Sequence, residues 1–373
     1  MRSLAIVFAL GLAVGAVATG KEPASPIKRD EVVLFYPTFA RQDQDAQSWR
    51  VAVHGQIFEP EEKSLKRAML VNLVRQFVPG ELSPQEKEIF DRRVRLFLVD
   101  SERGKKISIR LGSAVYEAGA SGTDGHFRSE LRLSNGQIAA LFGGKAPAGE
   151  WVSFSAITRP GDGRMFAGRV LAMDAEGLSV VSDIDDTIKV TNVRDRKELL
   201  ANTFLRRFEA VPGMAPTYRL LAGGKATFHY VSGSPWQLYP ALAELTAGDA
   251  GFPAGTFHLR AVGLLDSSML NPLGALEEFK TREIEALFKA FPRRRFVLVG
   301  DSGERDPEIY GSLARKHGEQ VRAIWIRNVT GVTASDPRFQ AAFQGLPQSR
   351  WLLFRDAAEL RQPANAVLAS AHP

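Results

Sequence analysis

An apolar run, Leu178-Ser-Val-Val-Ser182, ends abruptly on Asp183-Ile-Asp-Asp-Thr187, and that join limits the fold more than anything else in the chain. A strand finishing in Asp-x-Asp-x-Thr carries Asp183 and Asp185 past the carboxyl edge of a sheet, where an open α/β fold leaves its ligand crevice. From about Asp174 onward apolar runs alternate with helical patterns, the mark of a parallel sheet with crossover helices. Two carboxylates at this spacing can divide labour. Asp183 can attack a phosphorus centre, while Asp185, given a raised pKa, can protonate the departing oxygen and later activate water. Acids so crowded repel one another, which calls for a divalent cation, and Mg2+ suits an all-oxygen site with bound water and a substrate phosphate. An acidic loop or a structural calcium site would use the same residues.

The later apolar runs each end in chemistry of a matching kind. Residues 226–231 stop on Ser232-Gly-Ser-Pro-Trp236, where the Ser232 hydroxyl and the open backbone around Gly233 can cradle phosphate; a helix is expected from about Gln237. Ser234 followed by Pro235 also reads as an ordinary helix cap, and the two roles are compatible if Ser232 faces phosphate while Ser234 caps. A strand is expected over 256–262, followed by an apolar stretch, 264–273, that either packs on the domain or meets acyl chains. Lys280 is placed just before a helix whose face is Ile284, Leu287, Phe288 and Phe291. There it can neutralise a phosphoryl oxygen, or it is a solvated surface lysine. Residues 295–299 form a strand ending in Gly300-Asp-Ser-Gly-Glu-Arg-Asp306, with a helix from Pro307. Asp301 and Asp306 can close a magnesium shell opposite Asp183, with Glu304 competing for the outer position, though a capped strand-to-helix turn has the same look. Residues 188–225 are too short for a large folded lid, so an open site is expected, one that admits a bulky substrate or a membrane surface.

Asp-x-Asp-x-Thr, a strand-end serine, a lysine at a helix entry and Gly-Asp-x-x-x-x-Asp, in that order, resemble the four motifs of the haloacid dehalogenase superfamily of phosphotransferases. Residues 182–191, 230–239, 257–260 and 299–310 are similar, more narrowly, to the catalytic domain of the actin-patch-associated phosphatidate phosphatases and their bacterial relatives, over roughly 177–360. The resemblance implies an α/β fold with a Rossmann-like parallel sheet of the haloacid dehalogenase type, and Mg2+-dependent hydrolysis of phosphatidate to diacylglycerol. It also implies residue roles. Asp183 would be nucleophile and metal ligand, and Asp185 general acid/base with its carbonyl on the metal. Thr187 would steady the loop, and Ser232 with Lys280 would hold the phosphoryl group. Asp301 would bind Mg2+ directly and Asp306 through water. Nothing in these motifs reads acyl chains, so another phosphomonoester, soluble rather than lipid, is an alternative substrate, and a non-catalytic membrane- or partner-binding module is an alternative of another class.

The residues before Asp174 carry no comparable cluster. Residues 1–18 read as a secretion signal: Arg2, an apolar stretch too short for a bilayer span, and Ala16-Val-Ala18 as a cleavage site. Export to a periplasm follows as an expectation, with an uncleaved membrane anchor as the alternative. The chain has 373 residues and no cysteine, so it can form no disulfide framework. Residues 19–30 are expected to be a linker, 31–173 a β-rich amino-terminal domain and 174–373 the catalytic domain. Strands are expected over 31–39, 50–58, 95–99, 106–111, 127–133, 151–157 and 164–171, forming an antiparallel sandwich or barrel-like unit. A helical insert is expected over 62–77 and from the capping box at Ser83-Pro-Gln-Glu86. His54 and His126 read as isolated scaffold residues. The net charge of +6 is spread along the chain, which favours anionic ligands in general but gives no nucleic-acid-binding motif.

Overall fold

The computed structural model describes residues 12–13, 23–43, 46–61, 71–72, 80–144, 149–261 and 273–370. Almost all of the expected signal, the apolar residues 264–270 and most of the helix expected over 62–77 lie outside these. Among the described residues no helix is long and apolar enough to cross a membrane.

The chain divides into two units, Met1–Pro60 with Val99–Asp174, and Glu61–Leu98 with Ala175–Pro373. The helical insert expected inside the amino-terminal domain therefore packs with the second unit. Its helix α1, Pro84–Val94, begins on the expected Ser83–Glu86 capping box. The apolar face of α1 explains the allegiance, for Phe90 and, just beyond the helix, Phe97 sit 6.5 and 5.8 Å from the ring of Phe204. Residues 95–99, expected as a strand, instead form a short helical turn, Arg95–Phe97, before a strand at Val99–Ser101.

The first unit is a mostly antiparallel sheet that curls into a half-barrel. Its long strand, Ser48–Pro60, pairs antiparallel with Val32–Tyr36, Thr38–Gln42 and His126–Ser134. The run expected as one strand over 31–39 is broken at Pro37, which has no N–H for a ladder. Ala167–Met173 closes parallel onto Thr38–Gln42, an exception to the expected antiparallel pattern. Phe35, with Phe127 and Phe154 edge-on to it at 5.7 and 4.9 Å, lies in a core of alternating inward residues. His54 and His126, expected to be isolated, meet each other: facing strands bring His54 Nε2 to 3.1 Å from His126 Nδ1.

The second unit holds a sheet of parallel strands: β1 Leu178–Ser182, β2 Thr227–Pro235, β3 Gly255–Arg260, β4 Arg295–Asp301, β5 Val321–Arg327 and β6 Trp351–Phe354. They are hydrogen-bonded in the order β3-β2-β1-β4-β5-β6. All of β1 is buried, as a central parallel strand requires. After α1, its described helices include α2 Arg196–Phe204, α3 Met214–Gly223, α4 Tyr239–Ala247, α5 Leu273–Ala290, α6 Asp306–Lys316, α7 Pro337–Ala342 and α8 Arg361–Ala369. Strand order reverses between β1 and β4, the place where an open parallel sheet leaves a crevice at its carboxyl edge. Register aligns Ser182 with Tyr230 on one side and Val299 on the other, so Asp183, just past β1, comes level with the carboxyl-end residues Ser232 of β2 and Asp301 of β4 at that edge.

Candidate active site

Asp183 follows β1 directly and is fully buried, its backbone N–H donating to Val299 O (2.8 Å) across the strand reversal. One carboxylate oxygen accepts from Thr187 Oγ1 (3.0 Å) and the other from Lys280 Nζ (2.8 Å). Lys280 also donates to Asp306 Oδ1 (2.6 Å) and Glu304 Oε2 (3.0 Å), so one buried ammonium ties three acids together. Burial pushes the Asp183 carboxyl well above the carboxylate range; Lys280 pulls against it, while Asp306, Glu304 and Asp185 add to the rise. Burial also pushes Asp301 well up, with Asp306, Glu304 and Asp183 acting in the same direction. A single cation does not balance these charges.

Lys280 is not at a helix entry. It lies inside α5 with more than a turn of helix before it, on the face shared by Leu276 and Ile284, four residues to either side. That spacing was the available sign. A lysine on the apolar face of a helix is buried and needs acidic partners.

Asp183, Asp301 and Asp306 each present an oxygen within 4.8 Å of the others. Asp301 Oδ1 accepts from the N–H groups of Gly303 (2.5 Å) and Glu304 (3.3 Å), while its buried Oδ2 has no hydrogen-bond partner among the described residues. A buried carboxylate oxygen without a partner, on a residue grouped with two further acids, is costly without a cation. The all-oxygen, wholly carboxylate set fits a hard divalent ion such as Mg2+. Of the two acids considered for the outer position, both accept from Lys280, and Asp306 is the one whose oxygen also lies with those of Asp183 and Asp301.

The Asp185 side chain lies apart from the three-acid group. Oδ1 accepts from Lys189 Nζ (2.7 Å) and Thr191 Oγ1 (2.8 Å), and Oδ2 from Ser232 Oγ (3.0 Å) and Ser234 Oγ (2.8 Å). The raised pKa expected of a resting general acid is not found. Burial does push it up, but Lys189 and the hydroxyls of Ser234 and Thr191 outweigh burial and hold Asp185 below the usual range. Ser234 does not cap a helix either. β2 runs on through Pro235, and the period of two puts Ser234 on the same face as Ser232; only a short turn, Trp236–Leu238, precedes α4. Gly233 also packs closely against α5: a Cβ there would come within 2.6 Å of Leu276 Cδ1, so that side chain would have to shift.

Two site residues escaped the sequence reading. Asp186 adopts a left-handed backbone (φ 56°), and its carboxylate accepts from the N–H groups of Thr191, Asn192 and Val193 at 2.8, 2.7 and 2.7 Å. It shapes the loop rather than serving the chemistry; aspartate's tolerance of positive φ was the one hint. Lys189 is buried beside Asp185 and over the ring of Phe208 (4.7 Å). No helical or strand period places it there, because the segment is a turn.

Gly300 is needed for the same convergence. An added Cβ would lie 2.7 Å from Asp306 Cβ and overlap its carboxylate, which Lys280 holds in place. Gly300→Ala is expected to cost about 1–3 kcal/mol and to weaken divalent-cation binding, checked by thermal melting and calorimetry. Unchanged values in both would contradict the close approach.

Residues 178–328 match the family "Phosphatidate phosphatase APP1, catalytic domain". An uncharacterized protein of Schizosaccharomyces pombe is 30% identical over 169 residues, covering 44% of this chain and 27% of that protein. Phosphatidate phosphatase APP1 of Saccharomyces cerevisiae is 35% identical over 156 residues, covering 40% of this chain and 26% of that protein. The chain thus spans about a quarter of the length of the curated relatives it matches. Among solved structures, DsGPDH of Dunaliella salina is similar over 49% of this chain and 28% of its own, at 19% identity and a TM-score of 0.29, too slight a likeness to bear on fold or function.

Proposed function

From the match of residues 178–328, we propose that the second unit is a Mg2+-dependent phosphatidate phosphatase of the haloacid dehalogenase type, working through an aspartyl-phosphate. The observation that carries this reading is the meeting of Asp183, Asp301 and Asp306 at the strand-order reversal, with Lys280 on an oxygen of Asp183. A nucleophilic carboxylate, an acid-rich pocket with an orphaned oxygen and a fixed ammonium are what phosphoryl transfer from an ester requires.

Asp183, Asp301 and Asp306 would hold Mg2+, which when bound offsets the charge of the acids and of the phosphoryl oxygens. Lys280 holds one oxygen of Asp183 and leaves the carboxylate set for attack on phosphorus. In that step the Asp183 O–P bond forms and the bond from phosphorus to the glycerol oxygen breaks. Asp185 supplies the proton to the departing alcohol and takes one from water in the second step, which cleaves the aspartyl-phosphate and restores Asp183. In the free protein Asp185 is held ionised. The negative phosphoryl group arriving beside it favours proton uptake, so the acid form belongs to the substrate complex. Ser232 Oγ, 3.0 Å from Asp185, is placed to turn to a phosphoryl oxygen instead. Lipid substrate, contact with a membrane surface and an exported, periplasmic location form part of the same reading, the last resting on residues 1–18.

The test is hydrolysis of dispersed phosphatidate against soluble sugar and nucleotide monophosphates, each with Mg2+ and with chelator. Phosphatidate is expected to be turned over at least about tenfold faster, and only with Mg2+. Preference for soluble esters would replace the lipid reading with an exported phosphomonoesterase. Failure to hydrolyse either with Mg2+ present would leave a binding module with a vestigial site.

A further inference from the structure

Arg338 opens α7, beyond the matched segment, and its guanidinium spans the loop that bears Asp301. Nη1 donates to Ser302 O (2.5 Å) and Nη2 to Glu304 O, while Nε and Nη2 grip the two carboxylate oxygens of Glu308 on α6 at 2.8 and 3.0 Å. The carbonyls it holds flank the Gly303 and Glu304 amides that orient Asp301 Oδ1. With Oδ1 fixed by that turn, Oδ2 is the oxygen left over for the three-acid group. Helix α7 is itself seated firmly on α6: Gly311 leaves room for the Ala342 carbonyl, and Arg315 Nη1 donates to the same oxygen (2.7 Å).

We propose that Arg338, with Glu308 as its fixed counter-ion, is a positioning residue for the cation site: it locks the turn whose amides aim Asp301, and so sets the affinity of the three acids for a divalent ion. The proposal rests on the metal-dependent reading given above. Arg338 hydrogen-bonds the loop carbonyls and Glu308 rather than the acids of the group; its charge is within electrostatic reach of Asp301 and Asp306, and since losing that charge alone would favour a divalent ion, a weaker affinity reports the loop. A planar guanidinium can hold two carbonyls and a bidentate carboxylate at once, which lysine cannot.

The experiment is calorimetric titration of Mg2+ or Mn2+ into the full chain after chelation, with melting and initial rates measured in parallel. Arg338→Ala is expected to weaken cation binding by about tenfold, the low end of the loss when a ligand's own hydrogen-bond partner is removed because Arg338 acts one step further out, while kcat at saturating cation stays within about threefold of the unaltered protein. Arg338→Lys should recover only part of the affinity, and it carries the test if the alanine variant does not fold. Leu313→Ala, a core change in α6, should lower Tm without altering cation affinity. Binding within about twofold of the unaltered protein in Arg338→Lys and Arg338→Ala, or an equal loss in Leu313→Ala, would overturn the proposal. Asp301→Asn serves as the separate check on the site: if it binds the cation normally, the three-acid reading fails whatever Arg338 does.

Discussion

Asp183→Asn is expected to reduce phosphate release by about a thousandfold or more while leaving the fold intact. The amide keeps the size of the carboxylate and an oxygen for Lys280, and Thr187 Oγ1 can accept from the new N–H where it had donated. What it removes is the nucleophile, for which Asp185 cannot substitute, since its carboxylate is taken up by Lys189, Thr191, Ser232 and Ser234. Removing one charge from a group of mutually repelling buried acids should also leave the cation-free Tm unchanged or higher. Phosphate release and thermal melting on the same preparation check both halves. A variant that retains a tenth of the rate, with the asparagine verified chemically, would show that Asp183 is not the attacking group.

Lys280→Met is expected to have the largest effect on stability. The lysine is 1% exposed and touches Asp183, Glu304 and Asp306, so its loss leaves buried acids without their shared ammonium. Breaking a buried ion pair from one side costs roughly 3–5 kcal/mol. For a unit of this size that corresponds to a fall in Tm of about 10 °C without added cation. The fall should shrink as Mg2+ is added, because a divalent ion among Asp183, Asp301 and Asp306 supplies part of the missing positive charge. Activity should remain low even with Mg2+, since no fixed ammonium then faces the phosphoryl group. Melting within about 2 °C of the unaltered protein would mean that the three contacts contribute little.

The acids at strand ends were legible because a strand that stops on a charged residue announces both its own end and a site. Asp183 and Asp301 are legible in this way and Ser232 from the end of an apolar run, and the register of β1, β2 and β4 brings all three towards one edge. Lys280 is legible by type but not by place, since the apolar face from Ile284 onward marks only the later part of a helix that begins at Leu273. Ser234 reads as a cap because Ser-Pro opens helices so often; a strand that runs four residues past Val231 places its hydroxyl on Asp185 instead. The pKa of Asp185 was not legible at all, for it depends on Lys189, a residue of a turn with no period to read.

By itself, the order of residues determined the parallel sheet of the second unit, the edge at which chemistry collects and the acids, lysine and serine available there. Those follow from local rules: burial of apolar runs, the period of strands and the places where runs end. Only the tertiary structure decided which acids share a pocket, that Asp185 is turned away from them, that Asp186 shapes the loop, and that the helix at Ser83 belongs with the second unit. Charge and hydrogen bonding in a buried site are set by groups within a few ångströms, and residues such as Asp183, Lys280 and Arg338 come that close to the acid loop only when distant parts of the chain have packed.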